Sequence, residues 1–394
     1  MAQKFLTNEL QELEIRKEEE MVEKLTIISK NLVWLENEVK DSKILVVKKE
    51  DKEEVNGQAS FDIDGNISDY TDKLSKNGEL MDREASDMVL NGSNRFVVVD
   101  DGYGFKVIPT FYTAQIGLLT RRGCNCPGIC GNYAIKRPSA TVEEAFLNDC
   151  ASRCKSTEKW GLLDGGAIAN VSNSYVPLDA LLGYEAFKKE LDENWETEFH
   201  FGRMSYEYYM ADFIIKDEVA LDGLKNTLEG LGVKVESLKA YARYSTSDTT
   251  NSAMAATIVY ELNGTPLQLN HRLGVDHIGE VSIATYRNKI KNLGMLLKEA
   301  EDAVEKLGNT DIKHPKNCLE NALKKVQLYN KKGRELIDSI QITDELSALD
   351  IIIKCNEVLT ATAKAETWST TQIVDASERV ARLLNANFSK LDVQ

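Results

Sequence analysis

Five of the seven cysteines fall within 31 residues, at Cys124, Cys126, Cys130, Cys150 and Cys154. Their spacing is C-x-C-x3-C followed by C-x3-C. Cys150 and Cys154 sit four apart on an expected helix and so share a face. Pro127 and Gly128 allow the first group to turn tightly. Zinc takes four thiolate or imidazole ligands in a tetrahedron, and this set supplies them with one to spare. The paired CxxC of common zinc modules is absent. Buried free thiols acting as small apolar side chains, or a disulfide, are the other readings. Arg121, Arg122, Lys136 and Arg137 flank the first three cysteines, with Tyr112 and Tyr133 nearby. Basic and aromatic side chains together suit single-stranded nucleic acid or a nucleotide, although four charges more often form a solvated surface.

A second constellation is Ser172, Ser247, Asp248, His271 and His277. These are the residue types of a nucleophile, base and orienting acid. No G-x-S-x-G elbow accompanies them, Ser-Asp pairs at strand ends commonly form turns, and a histidine just ahead of a helix is by default structural. Walker-A and G-x-G-x-x-G loops are absent, which argues against nucleotide hydrolysis and dinucleotide redox chemistry. Asp62, Asp64, Asn66 and Ser68 imitate the start of a calcium loop. Ile67 stands where glycine is required and Lys73 where a bidentate glutamate is required, so a polar turn is the better reading.

The stretch GLLDGGAIANVSNSYVPLD, then YSTSDTTNSAMAATIVYELNG, then RLGVDHIG, resembles the phage and plasmid-borne family called domain of unknown function 932. The matching positions are Ser172, Tyr175, Asp179, Ser247, Asn263, Gly264, His277 and Gly279. The likeness covers roughly residues 105 to 390. It departs from the family where Glu261 and Leu262 precede Asn263 in place of a cysteine, and where Asp276 precedes His277 in place of a basic residue. The cysteine cluster is not among that family's motifs. That family has no agreed activity; together with the absence of any complete catalytic motif, the resemblance implies a non-enzymatic phage or mobile-element accessory protein that binds nucleic acid, a nucleotide or a host defence component. An enzyme acting on nucleic acid through the Ser, Tyr, Asp and His positions, and a structural or assembly protein, are the alternatives.

The elements that must position these residues follow from hydrophobic period. Leu6, Leu10 and Leu13, then Leu25, Ile28, Leu32, Leu35 and Val39, suggest helix over 3–40, either packed on its own domain or self-associating into a homo-oligomer. Strands are expected at 43–49, 95–100, 105–108, 167–171, 199–209, 211–215, 233–244, 253–262 and 267–273. Turns are expected at Asp101-Gly102, Gly165-Gly166 and Asn263-Gly264. Helices are expected from Pro109 to Leu119 and from Thr141 to Cys154, then at 178–191 and 221–231. From 281 the chain reads as helix over 281–307, 316–340, 344–366 and 370–388, with Thr343 as an N-cap. Strands in the middle and helices at the end give the α+β class. The expected organisation is an N-terminal helix (1–42), an acidic polar region with short strands (43–104), an α+β core with the cysteine cluster (105–280) and a helical region (281–394).

Net charge is −15, and residues 36 to 101 alone hold 17 acidic and 9 basic side chains. That balance disfavours coating duplex DNA by charge. No run of 18 apolar residues suggests a membrane span, and the N-terminal residues lack the unbroken apolar core of a secretory signal. A cytoplasmic protein with reduced thiols is expected.

Overall fold

Phe5 and Leu6 are buried, and β1 (Leu13–Ile15) and α1 (Glu18–Asn31) follow them. Glu18, Glu19 and Glu20 occupy the first turn of α1 and Lys30 the last, the charge order that the helix dipole favours. The helix expected over 3–40 is therefore only 14 residues long. Leu13 pairs with Met204, and β2 (Val33–Glu38) pairs with residues 157–162. Leu32 already has extended backbone, and the β-branched Val33 and aromatic Trp34 favour strand once a partner offers hydrogen bonds. The computed structural model describes residues 5–6, 12–46, 52–55, 58–61, 95–100, 105–121, 140–249, 252–269, 272–337, 345–368 and 370–393.

β3 (Lys43–Val46) is followed by a small hairpin, β4 (Lys52–Val55) and β5 (Gln58–Phe61), and then by β6 (Arg95–Asp100) and β7 (Phe105–Pro109). β3, β6 and β7 form an antiparallel sheet in that order, as their β-branched runs suggest. The Asp101-Gly102 turn and the Asp62–Ser68 segment lie outside the described residues. Helices α2 (Tyr112–Arg121) and α3 (Ala140–Arg153) lead to β8 (Thr157–Leu163) and β9 (Gly166–Ser172), which join β2 in a second three-stranded sheet. Sequence reading missed β8. It also placed the hairpin turn one residue late: the turn is Asp164-Gly165, with φ of 56° and 83°. Positive φ at both central residues is the type I′ geometry that matches strand twist, and Asp-Gly is a favoured pair for it.

The chain then builds its main sheet. Asp179 caps α4 (Ala180–Asn194), and β10 (Thr197–Met204), β11 (Tyr209–Ile215), α5 (Glu218–Gly230), β12 (Leu238–Thr246), β13 (Met254–Leu262), β14 (Thr265–Leu267) and β15 (Leu273–Val275) follow. The strand expected over 233–244 starts only at Leu238, and the one expected over 267–273 is two short strands instead. The sheet is antiparallel, ordered β1-β10-β11-β12-β13, and it curls into a half-barrel. Its last edge is shared: β14 pairs with Tyr260–Leu262 and β15 with Met254–Ala256. Phe213, Tyr244, Ile258 and Tyr260 alternate onto the buried face. Phe213 packs on Tyr184 and Phe187 of α4, and the Tyr244 hydroxyl donates to the Ala180 carbonyl at 2.8 Å. Gly183 permits this approach, because a Cβ there would lie 2.5 Å from the Met254 sulfur.

The remainder is helical with two two-residue strands: α6 (Ile283–Ile290), α7 (Met295–Gly308), β16 (Asp311–Ile312), α8 (Pro315–Lys325), α9 (Lys331–Ile337), β17 (Leu346–Ser347), α10 (Ala348–Glu366) and α11 (Thr370–Ala381). The long helix expected over 281–307 breaks between Ile290 and Met295. The one expected over 316–340 breaks after Lys325, where Gln327 takes a φ of 60°. The helix expected over 370–388 ends at Ala381 and gives way to 3-10 turns. Thr343 lies outside the described residues; Ser347 caps α10, in a reciprocal box with Asp350. The fold class is α+β. One core runs from Phe5 through the main sheet to Leu391, so the N-terminal segment and the helical tail share it. A smaller core, including Ile44, Val97, Leu118, Leu147 and Trp160, crosses the boundary expected at 104/105. No helix among the described residues is long and apolar enough to cross a membrane.

Candidate functional site

β9 ends at Ser172, and the chain turns there so that Tyr175 points inward. The Tyr175 ring lies between two others. Trp34 of β2 is 5.3 Å away at 35°, and His277 is stacked at 4.9 Å and 2°. Backbone contacts lock this arrangement. Tyr175 bridges Ile278 in antiparallel fashion, and the Val176 N–H donates to the His277 carbonyl at 2.7 Å. The His277 Nδ1 lies 3.1 Å from the Val176 carbonyl. A carbonyl only accepts, so Nδ1 carries the proton, and in the neutral ring Nε2 is left as a bare acceptor. Nε2 is buried without a hydrogen-bond partner. Burial lowers the pKa of His277, against the opposing pull of the Val176 carbonyl and Asp276, which favours the neutral ring.

The Tyr175 hydroxyl donates to the Ser247 carbonyl at 3.3 Å, which ties β9 to the segment after β12. The Ser247 hydroxyl donates to the Glu207 carbonyl at 2.6 Å and sits 2.9 Å from the Thr249 hydroxyl. Beside it is Asp248, 2% exposed, whose Oδ2 has no hydrogen-bond partner. Burial pushes its carboxyl up to about 7. The nearby Tyr209 hydroxyl pulls it down in part, and Asp179 pushes it further up. The Tyr209 hydroxyl is close enough to favour the ionised acid, yet it makes no hydrogen bond of good geometry. The Tyr175 and Tyr209 hydroxyls are themselves held protonated, chiefly by burial and then by the Asp248 charge.

Tyr175 thus links Ser247 and His277, and Asp248 adjoins them through Ser247. Two other motif residues lie at the rim. Ser172 shares a 2.8 Å hydrogen bond with Ser174, and Asp179 accepts from the Leu182 N–H at 3.0 Å and from the Ser29 hydroxyl. Asn263-Gly264 is not part of the group. It closes the β13–β14 hairpin with φ of 50° and 81°, at the far end of β13, about 25–30 Å away by strand rise. Its side chain ties down the approach to β12, accepting from the Glu236 and Ser237 N–H groups and donating to the Lys234 carbonyl. His271 lies outside the described residues.

Cys124, Cys126, Cys130, Arg122, Lys136 and Arg137 also lie outside the described residues, and Arg121 is described only as the last residue of α2. Cys150 and Cys154 are partly buried, the second just past the end of α3. No group of three or more metal-ligating side chains is present among the described residues. Sequence reading missed Trp34, Tyr206 and Tyr209. Single aromatic side chains carry no motif: Trp34 lies in β2, Tyr206 in the connection after β10 and Tyr209 at the start of β11, and only the Tyr206-Glu207-Tyr208-Tyr209 run hints at the last two. No family model, curated protein or solved structure matches this chain.

Proposed function

We propose that the chain is a non-enzymatic binding protein of a phage or mobile element that acts on single-stranded nucleic acid or a nucleotide in the host cytoplasm. The motif resemblance supplies the context. The observation that supports the non-enzymatic half is the state of His277: one ring nitrogen is committed to the Val176 carbonyl, and the other faces no serine hydroxyl. Both serines are spent on backbone or on neighbouring hydroxyls. Nucleophilic catalysis requires a hydroxyl within hydrogen-bond reach of its base. On this reading Tyr175, Ser247 and His277 hold a scaffold together. The segment proposed to bind is the basic one of Arg121, Arg122, Lys136 and Arg137. A gel shift with single-stranded DNA at low and moderate salt tests this. Binding that weakens with salt and with Arg121→Ala/Arg122→Ala supports it; no shift at low salt redirects the search to a host defence protein.

A second reading has one observation behind it. Asp248 is a buried acid that titrates near neutrality, as a general acid or base does. Prolonged incubation with the same DNA distinguishes the two. Cleavage that is lost in Asp248→Asn makes this an enzyme; intact DNA leaves the binding reading standing.

A further inference from the structure

Phe5 and Leu6 sit in a receptacle built by four separate elements. The Asp164 carboxylate, in the β8–β9 turn, accepts the Phe5 N–H at 3.0 and 3.1 Å and the Leu6 N–H at 3.0 Å. The Tyr206 hydroxyl, just past β10, donates to the same carboxylate at 2.6 Å and fixes its direction. The Phe5 ring meets Tyr206 edge-on at 5.5 Å and Tyr209 of β11 at 5.9 Å. Lys24 of α1 donates to the Phe5 carbonyl at 3.2 Å. Phe5 is 1% exposed.

We propose that this receptacle is a peptide-docking site for a bent Phe-Leu pair, filled in cis by Phe5–Leu6 and able to take the same segment from a second copy of the chain. The recognition has the parts of a peptide site. An anion reads two successive backbone N–H groups, a cation reads the carbonyl, and an aromatic cage reads the side chain. None of these contacts depends on covalent connection to the ligand. They come from the β8–β9 turn, from α1 and from the strands around Tyr206, so the receptacle is complete without its occupant. A tethered ligand competes at an effective concentration near millimolar, so a free segment binds well only where the resident one is weakened.

The test uses the full chain carrying Phe5→Ala and Leu6→Ala, with a fluorescently labelled peptide of residues 2–9 as the probe. Saturable one-to-one binding is expected, at least tenfold tighter than to the unmodified chain. The additional change Asp164→Asn should weaken it at least tenfold, and a peptide lacking the phenylalanine should not bind. Absence of saturable binding to a variant with native circular dichroism overturns the proposal. If the variant fails to fold, hydrogen exchange on the unmodified chain decides. The Phe5 and Leu6 amides should exchange at least tenfold faster than those of β12, by local release. Exchange only in step with β12 would make them a fixed part of the core and end the idea.

Discussion

Two carboxyl groups buried in the main sheet live under opposite rules. Asp212 on β11 faces Arg243 on β12, and the guanidinium donates twice, at 2.7 Å to each oxygen. Asp248, just beyond β12, has one oxygen without a partner, and no cation among the described residues acts on it. The first is gripped on both oxygens by a fork-shaped guanidinium. The second is held as an acid, because the cost of desolvating a charge exceeds anything its neighbouring hydroxyls return. The difference teaches that a buried carboxyl can be answered by a guanidinium across the sheet, as at Asp212, or left to burial, which raises the pKa of Asp248.

The strongest way to break this comparison is to make Asp212 resemble Asp248. Arg243→Leu strands a carboxylate among buried groups and should destabilise by about 3–5 kcal/mol in urea unfolding at pH 7. Replacing both partners with leucine should recover much of that loss. A double variant as unstable as the single one would show that the ion pair had not set the cost.

The reverse experiment neutralises Asp248. Its folded pKa, about 7, lies above the unfolded 3.8, so the folded chain keeps a proton that the unfolded chain releases. The stability from this group is full below the lower value and is lost as pH rises to about 7. Asp248→Asn removes that slope. The stability difference between variant and wild type should shift in favour of the variant by up to about 4 kcal/mol between pH 4 and 8. Parallel pH profiles would refute the assignment.

Smaller changes sharpen the picture. Tyr209→Phe removes the hydroxyl that favours ionised Asp248, so the midpoint of the wild-type pH slope should move upward, with a stability change near 1 kcal/mol at pH 6. Tyr175→Phe removes only the bond to the Ser247 carbonyl and should cost about 1 kcal/mol, with no change in pH profile. A pH-profile change in that variant would show that Tyr175 and Asp248 titrate as one unit.

Much of the fold was legible because its signals are local. β6 and β7, the Asn263-Gly264 hairpin, α5 and its Gly232 stop all follow from runs, turn pairs and period. The errors came where a distant partner decides. Leu32, Leu35 and Val39 keep helical spacing, yet β8 captures the stretch as a strand. The site was legible in part. Motif resemblance picked out Tyr175, Ser247 and His277, and the Ser/His/Asp constellation added Asp248, but neither gave a means of separating them from Asn263-Gly264, because their meeting is a product of the sheet's path. Asp164 was hidden for another reason. It serves as a turn residue, and the chain it grips lies 158 positions away.

The way the main sheet ends bears on what its edges can recruit. On one side it stops at β1, three residues long, beside a β10 whose register shifts between Phe199 and Phe201. On the other, the edge of β13 is covered by two separate three-residue strands. A long, straight row of unpaired amides recruits strands from other molecules; short, interrupted and irregular margins do not. Among the described residues, both rims of the main sheet are thus of the short, interrupted kind that discourages sheet extension.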